Sequence, residues 1–181
     1  MCDQHDRPDI TRRNFAGLAL AGAAASLIPM RVLAAGVESD ALCIMCIDPR
    51  AVYSTIRFFD DPVLQGGLGI PGKYDMVALA GASLASVSLA FPTSIGAIWD
   101  HIALAIQLHN IQRVVVMDHS DCGAFKAAYG RDDEALHVQV MHQMKAEYVR
   151  RKLAPALQFY LMPVRDNFPP PNYLRPKRII I

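Results

Sequence analysis

Residues 113–123 read Arg-Val-Val-Val-Met-Asp-His-Ser-Asp-Cys-Gly. Three consecutive valines favour an extended segment, because β-branched side chains are stiff at χ1 and pack well on a pleated surface. The run is continuously apolar rather than alternating, as a strand covered on both faces of a parallel sheet requires. It passes directly into a cluster of polar, chemistry-bearing residues. Outward from this stretch the same design recurs. Residues 41–47 form a second apolar run, closed by the turn signal Asp48-Pro49. Residues 75–80 form a third and residues 157–162 a fourth, the latter closed by Pro163. Between them, residues 52–59 and 133–153 read as helices. So do residues 92–110, where Ile95, Ile98, Trp99, Ile102 and Ile106 share one face and Thr93 or Ser94 is the expected cap. Residues 65–72 hold four glycines and a proline and read as a loop. The tail 168–177 holds four prolines and is expected to form no regular element. Strands alternating with helices predict an α/β fold, a mainly parallel β-sheet flanked by helices.

The 181 residues suit one folded domain, and 52% hydrophobic against 19% charged residues suffices for a core. A formal net charge of +1 excludes a strongly basic nucleic-acid binder. Four cysteines are too few for a disulfide-dense scaffold.

The reactive residues stand at two strand ends. Cys46-Ile47-Asp48-Pro49-Arg50 closes one run and His119-Ser120-Asp121-Cys122-Gly123 closes another. Ligands of open parallel sheets bind outside the carboxyl ends of the strands, so adjacent strands would bring both groups together. Cys46, His119 and Cys122 would then offer two thiolates and one imidazole. That donor set suits tetrahedral zinc with a fourth position open, the arrangement of catalytic sites.

Cys-x-Asp-x-Arg at one strand end and His-x-x-Cys-Gly at another resemble the two hallmark motifs of the β-class carbonic anhydrases. The resemblance covers roughly residues 41–164. It implies zinc on Cys46, His119 and Cys122, and catalytic roles for Asp48 and Arg50 in the reversible hydration of carbon dioxide to bicarbonate. It also implies a homodimer or higher homo-oligomer, with residues 79–91 and the Trp99 helix expected between chains. Arg50 would serve as a bidentate partner that keeps Asp48 off the metal. Residues 78–82, Ala-Leu-Ala-Gly-Ala, depart from the family's Arg-Asn-Ala-Gly-Asn stretch and keep only its Ala-Gly core. The departure leaves open hydrolysis of another small linear molecule, such as COS or CS2, and a zinc-binding homologue without turnover. Gln65 is one candidate for the family's substrate-facing glutamine. Cys43 and Cys46 on one strand point to opposite faces, which argues against a redox pair. His137 and His142 are expected on a helix surface, and His101 and His109 have no expected role.

The N-terminal 35 residues read as an address. Arg12-Arg13, an Ala/Gly/Leu-rich run over residues 16–28 and the small residues Ala34-Ala35-Gly36 resemble a twin-arginine export signal. Residues 1–35 would engage the twin-arginine export machinery, be cleaved near Ala34 or Ala35, and leave residues 36–181 as a periplasmic or secreted zinc domain. Four of the eighteen basic and three of the seventeen acidic residues lie in that segment, so the remainder is neutral.

Overall fold

The computed structural model describes residues 38–64, 66–164 and 173–181. All belong to the compact unit Ala35–Ile181. The expected export segment and Gln65 lie outside the described residues.

Five strands form one sheet in the order β2-β1-β3-β4-β5. They are β1 (Ala41–Met45), β2 (Tyr74–Ala78), β3 (Arg113–His119), β4 (Ala156–Met162) and β5 (Lys177–Ile179). The first four are mutually parallel, and β5 runs antiparallel along β4. The two strands that end in reactive residues are therefore direct neighbours, with Met45 opposite Met117. The period-2 alternation of a strand sorts each one between two cores. Leu42, Ile44, Cys46, Val114 and Val116 face one side. Ala41, Cys43, Met45, Val115 and Met117 face the other. Both faces are covered, which is why these strands read as continuous apolar runs.

On one face pack α2 (Pro92–His109), α3 (Gly123–Tyr129), α4 (Glu134–Arg150) and a 3-10 turn at Ala82–Ser86, contributing Ile98, Ile102, Phe125, Met141, Met144 and Leu84. The other face is covered by α1 (Pro49–Asp60) through Ala51, Phe58 and Phe59. Full burial of side chains such as Phe58 and Phe59 stabilises the packing by roughly 1.5–3 kcal/mol each. No described helix is long and apolar enough to cross a membrane.

Several local expectations need correction. Helix α2 begins with Phe91 at its N-cap and no side-chain cap bond, so neither Thr93 nor Ser94 caps it. Pro92 at N1 supplies the pre-set φ and has no N–H to satisfy. The Asp48-Pro49 turn is instead the start of α1, with Asp48 as N-cap accepting the Arg50 N–H at 2.9 Å. Beyond the proline-containing stretch, Lys177–Ile179 adds a short strand the sequence reading did not anticipate, paired antiparallel with β4. Trp99 itself lies in the chain's own core, 3% exposed. Its Nε1–H donates to the Ser86 carbonyl at 3.0 Å, and the Arg151 guanidinium lies over its ring at 4.6 Å.

Candidate metal centre

Strand register delivers the ligand candidates. Cys46 lies one residue beyond β1 and His119 is the last residue of β3, so both emerge at the carboxyl edge of adjacent strands. Asp121 turns the chain in the left-handed region, φ 59°, and Cys122 then becomes the N-cap of α3. Ligand atoms of Cys46, His119 and Cys122 all lie within 4.8 Å of one another, and all three residues are buried.

The local bonding suits a metal. The sulfurs of Cys46 and Cys122 are 4.0 Å apart. Two zinc–sulfur bonds of 2.3 Å at a tetrahedral angle would put them about 3.8 Å apart. His119 Nδ1 lies 2.9 Å from the Ser120 carbonyl, which places its proton there and leaves Nε2 as the free lone pair. That Nε2 is buried without a hydrogen-bond partner. A buried polar atom without a partner is costly unless something else satisfies it. Cys46 is held below the ordinary thiol range, chiefly by its contact with Cys122 and against the opposing effect of burial, with help from His119 and the Gly81 N–H. Cys122 is pushed up by the same contact and by burial. The lowering at Cys46 favours the thiolate, the form that binds metal. Soft sulfurs with one imidazole are the chemistry of zinc among common divalent ions.

Asp48 and Arg50 stand beside this cluster. Asp48 Oδ2 is 3.8 Å from His119 Nε2. Arg50 grips it from the side, with Nη2 2.7 Å from Oδ2 and Nε 3.0 Å from Oδ1. This grip holds the Asp48 carboxyl below the usual carboxylate range, against a partial desolvation. The Asp48 and Arg50 side chains are 17% and 22% exposed, whereas the three ligand candidates are buried. Sequence reasoning missed that Arg50 also donates to Asp121, through Nη1 to Oδ2 at 2.6 Å and Nη2 to the carbonyl at 3.0 Å. Lys126 contacts the other Asp121 oxygen, and Lys126 and Arg50 together lower that carboxyl to about 2.

The 78–82 segment also reaches the site. Gly81 donates its N–H to Cys46 Sγ at 3.3 Å. Cys43 faces the opposite core, is raised far above the thiol range by burial, and takes no part. His142 and His101 are exposed, and His109 pairs with Asp75 at 2.8 Å. His137 is not a surface residue. It is 1% exposed and lies between Asp118 and Asp132. Burial alone pulls its pKa down, but the hydrogen bonds and charges of the two carboxylates outweigh that and raise it.

No protein-family model matches the chain. It is 31% identical over 130 residues to an uncharacterised protein of Rickettsia conorii, covering 68% of this chain and 66% of that one. A Rickettsia bellii protein, also uncharacterised, is 29% identical over 130 residues, covering 68% of this chain and 74% of that one. Among solved structures, a β-carbonic anhydrase of Aspergillus fumigatus aligns over 92% of this chain and 87% of that one, at 18% identity and a TM-score of 0.41. A carbon disulfide hydrolase aligns over 83% of this chain and 86% of that one, at 14% identity and a TM-score of 0.37.

Proposed function

We propose that Cys46, His119 and Cys122 hold one zinc ion and that the chain catalyses the reversible hydration of carbon dioxide to bicarbonate. One observation carries the reading. A buried Cys2His cluster with an unpartnered His119 Nε2 stands 3.8 Å from a carboxylate that Arg50 restrains. Zinc at such a site supplies a bound water that ionises near neutral pH. The protein's own part is placement. Gly81 N–H fixes Cys46, the Ser120 carbonyl fixes the His119 tautomer, and Arg50 keeps Asp48 near the ligands but directed away from them. Asp48, whose carboxyl Arg50 holds below the usual carboxylate range, offers an acceptor that orients a substrate water.

The second reading is hydrolysis of COS or CS2 at the same site. It is favoured by the apolar side chains of residues 78–82, where the β-class motif carries polar groups. Export of the chain through residues 1–35 to the periplasm, and its assembly into a homodimer or larger homo-oligomer, complete the proposal.

Elemental analysis followed by stopped-flow CO2 hydration tests it, with COS and CS2 as competing substrates. About one zinc per chain with CO2 turnover is expected. Zinc with turnover of COS or CS2 alone selects the second reading. Full zinc retention by the Cys46→Ala, Cys122→Ala double variant would refute the ligand assignment.

A further inference from the structure

One buried side chain ties together the segments that carry all three ligand candidates. His137 on α4 has Nδ1 2.9 Å from Asp118 Oδ2 and Nε2 2.7 Å from Asp132 Oδ1. The Asp118 and Asp132 side chains are 0% and 3% exposed. With a carboxyl oxygen within hydrogen-bond distance of each ring nitrogen, the ring is held from both sides. Phe125 covers its face, with ring centroids 3.8 Å apart.

Each carboxylate passes its remaining contacts to a ligand-bearing segment. Asp132 Oδ2 accepts the Cys122 N–H at 3.1 Å. Asp118, which immediately precedes His119, accepts the Ser83 N–H at 2.9 Å and the Ser83 hydroxyl at 2.6 Å. Ser83 anchors the 3-10 turn that follows Gly81, and Gly81 donates to Cys46 Sγ. Cys46, His119 and Cys122 are thus referenced to one imidazole ring through three separate stretches of chain. Buried charges are a poor device for stability, since apolar side chains of similar volume often do as well. They are a good device for fixing direction, because each hydrogen bond has a required geometry.

We propose that His137 is a positioning residue, and that the Asp118–His137–Asp132 clamp sets the mutual placement of the three metal ligands. This rests on the metal reading above. Outer partners of ligands commonly change metal affinity by about 10–100-fold when removed.

The experiment is a cobalt(II) titration of the full chain, read by affinity and by the visible and sulfur-to-cobalt charge-transfer bands. His137→Gln and Asp132→Ala are expected to weaken cobalt binding about 10–100-fold and shift the bands, with far-UV circular dichroism retained. Asp132→Asn, whose amide oxygen can still accept the Cys122 N–H, should recover part of the loss. Tyr148→Phe, on the same helix as His137, removes a partly buried hydrogen bond to the Pro155 carbonyl and serves as control. It should lower the melting temperature and leave the cobalt spectrum unchanged. If His137→Gln does not fold, the Asp132 pair decides. Wild-type affinity and spectrum in the folded clamp variants would overturn the proposal, as would an equal spectral shift in Tyr148→Phe. A wild type that takes up no cobalt overturns the metal reading and this inference with it, whereas failure of the clamp variants alone to differ leaves that reading standing.

Discussion

Arg50 and Asp121 are joined at two points: Nη1 donates to Oδ2 at 2.6 Å and Nη2 to the main-chain carbonyl at 3.0 Å. The guanidinium is therefore fixed from the loop carrying Cys122 as well as by Asp48 on its own helix. A side chain anchored at both ends cannot swing, and neither can the carboxylate it holds. Asp48 Oδ2 is already within 3.8 Å of His119 Nε2, so a freed carboxylate would be close enough to compete for a metal at the cluster.

The first prediction follows from that restraint. Arg50→Ala should keep zinc and reduce CO2 hydration by about 100-fold, and Asp121→Asn should reduce it by about tenfold, the range seen when outer partners of ligands are removed. An exposed ion pair with no role would cost roughly 0–1 kcal/mol of stability and no activity. Zinc content, melting temperature and hydration rate on the same preparations separate the two. Undiminished turnover in zinc-replete Arg50→Ala would show that Asp48 needs no restraint.

The second concerns the address. Arg12→Lys, Arg13→Lys in the full-length chain should abolish accumulation in the periplasm, because paired arginines are the recognised element of such signals. Cell fractionation with antibody detection is the measurement. Unchanged periplasmic accumulation would assign residues 1–35 another role.

What was legible in the sequence followed from burial on both faces. Residues 114–117 and 41–45 announce themselves because every position of these two-sided strand segments is apolar, and the polar residues that follow are then conspicuous. Strand β5 was hidden because three residues cannot show periodicity and four prolines precede it. His137 was missed although a signal existed. It falls in the spacing of Val140, Met141, Met144 and Tyr148, the buried face of α4. A second signal was Asp118 itself, a carboxylate inside an apolar strand, which has to find a buried donor. The pairing that explains both depends on how α4 docks, a long-range fact.

A third prediction concerns alkaline stability. Burial raises Tyr148 to about 12, and its hydroxyl donates to the Pro155 carbonyl at 2.9 Å. In the unfolded chain a tyrosine ionises near pH 10. A group whose folded pKa is raised gives stability that is complete below the unfolded value and lost as pH rises through the folded one. The wild-type melting temperature should therefore fall more steeply than that of Tyr148→Phe between about pH 10 and 12. Parallel curves over that window would mean that Tyr148 ionises as readily folded as unfolded.

The last prediction concerns Gly81, where backbone conformation and ligand placement meet. Its φ is +80°, a region that costs other residues of order 1–3 kcal/mol. Space adds to the penalty. A Cβ at this position would lie 2.9 Å from Leu84 Cβ, in the 3-10 turn itself, and 3.2 Å from Ala124 Cβ in α3. Leu84 is fully buried and cannot retreat without opening the core. Either adjustment moves the Gly81 N–H, which lies 3.3 Å from Cys46 Sγ. Gly81→Ala should lower stability by about 2 kcal/mol, within the range for a strained left-handed residue, and should weaken metal binding in the protein that remains folded. Denaturant unfolding and a metal titration on the same sample measure both. Gly96 provides the contrast, because a Cβ there meets nothing within 4 Å and the residue is helical. Gly96→Ala should be neutral or stabilising, since alanine is about 1 kcal/mol better than glycine inside a helix. Equal behaviour of the two variants would mean that the positive φ at Gly81 is not what holds Cys46 in place.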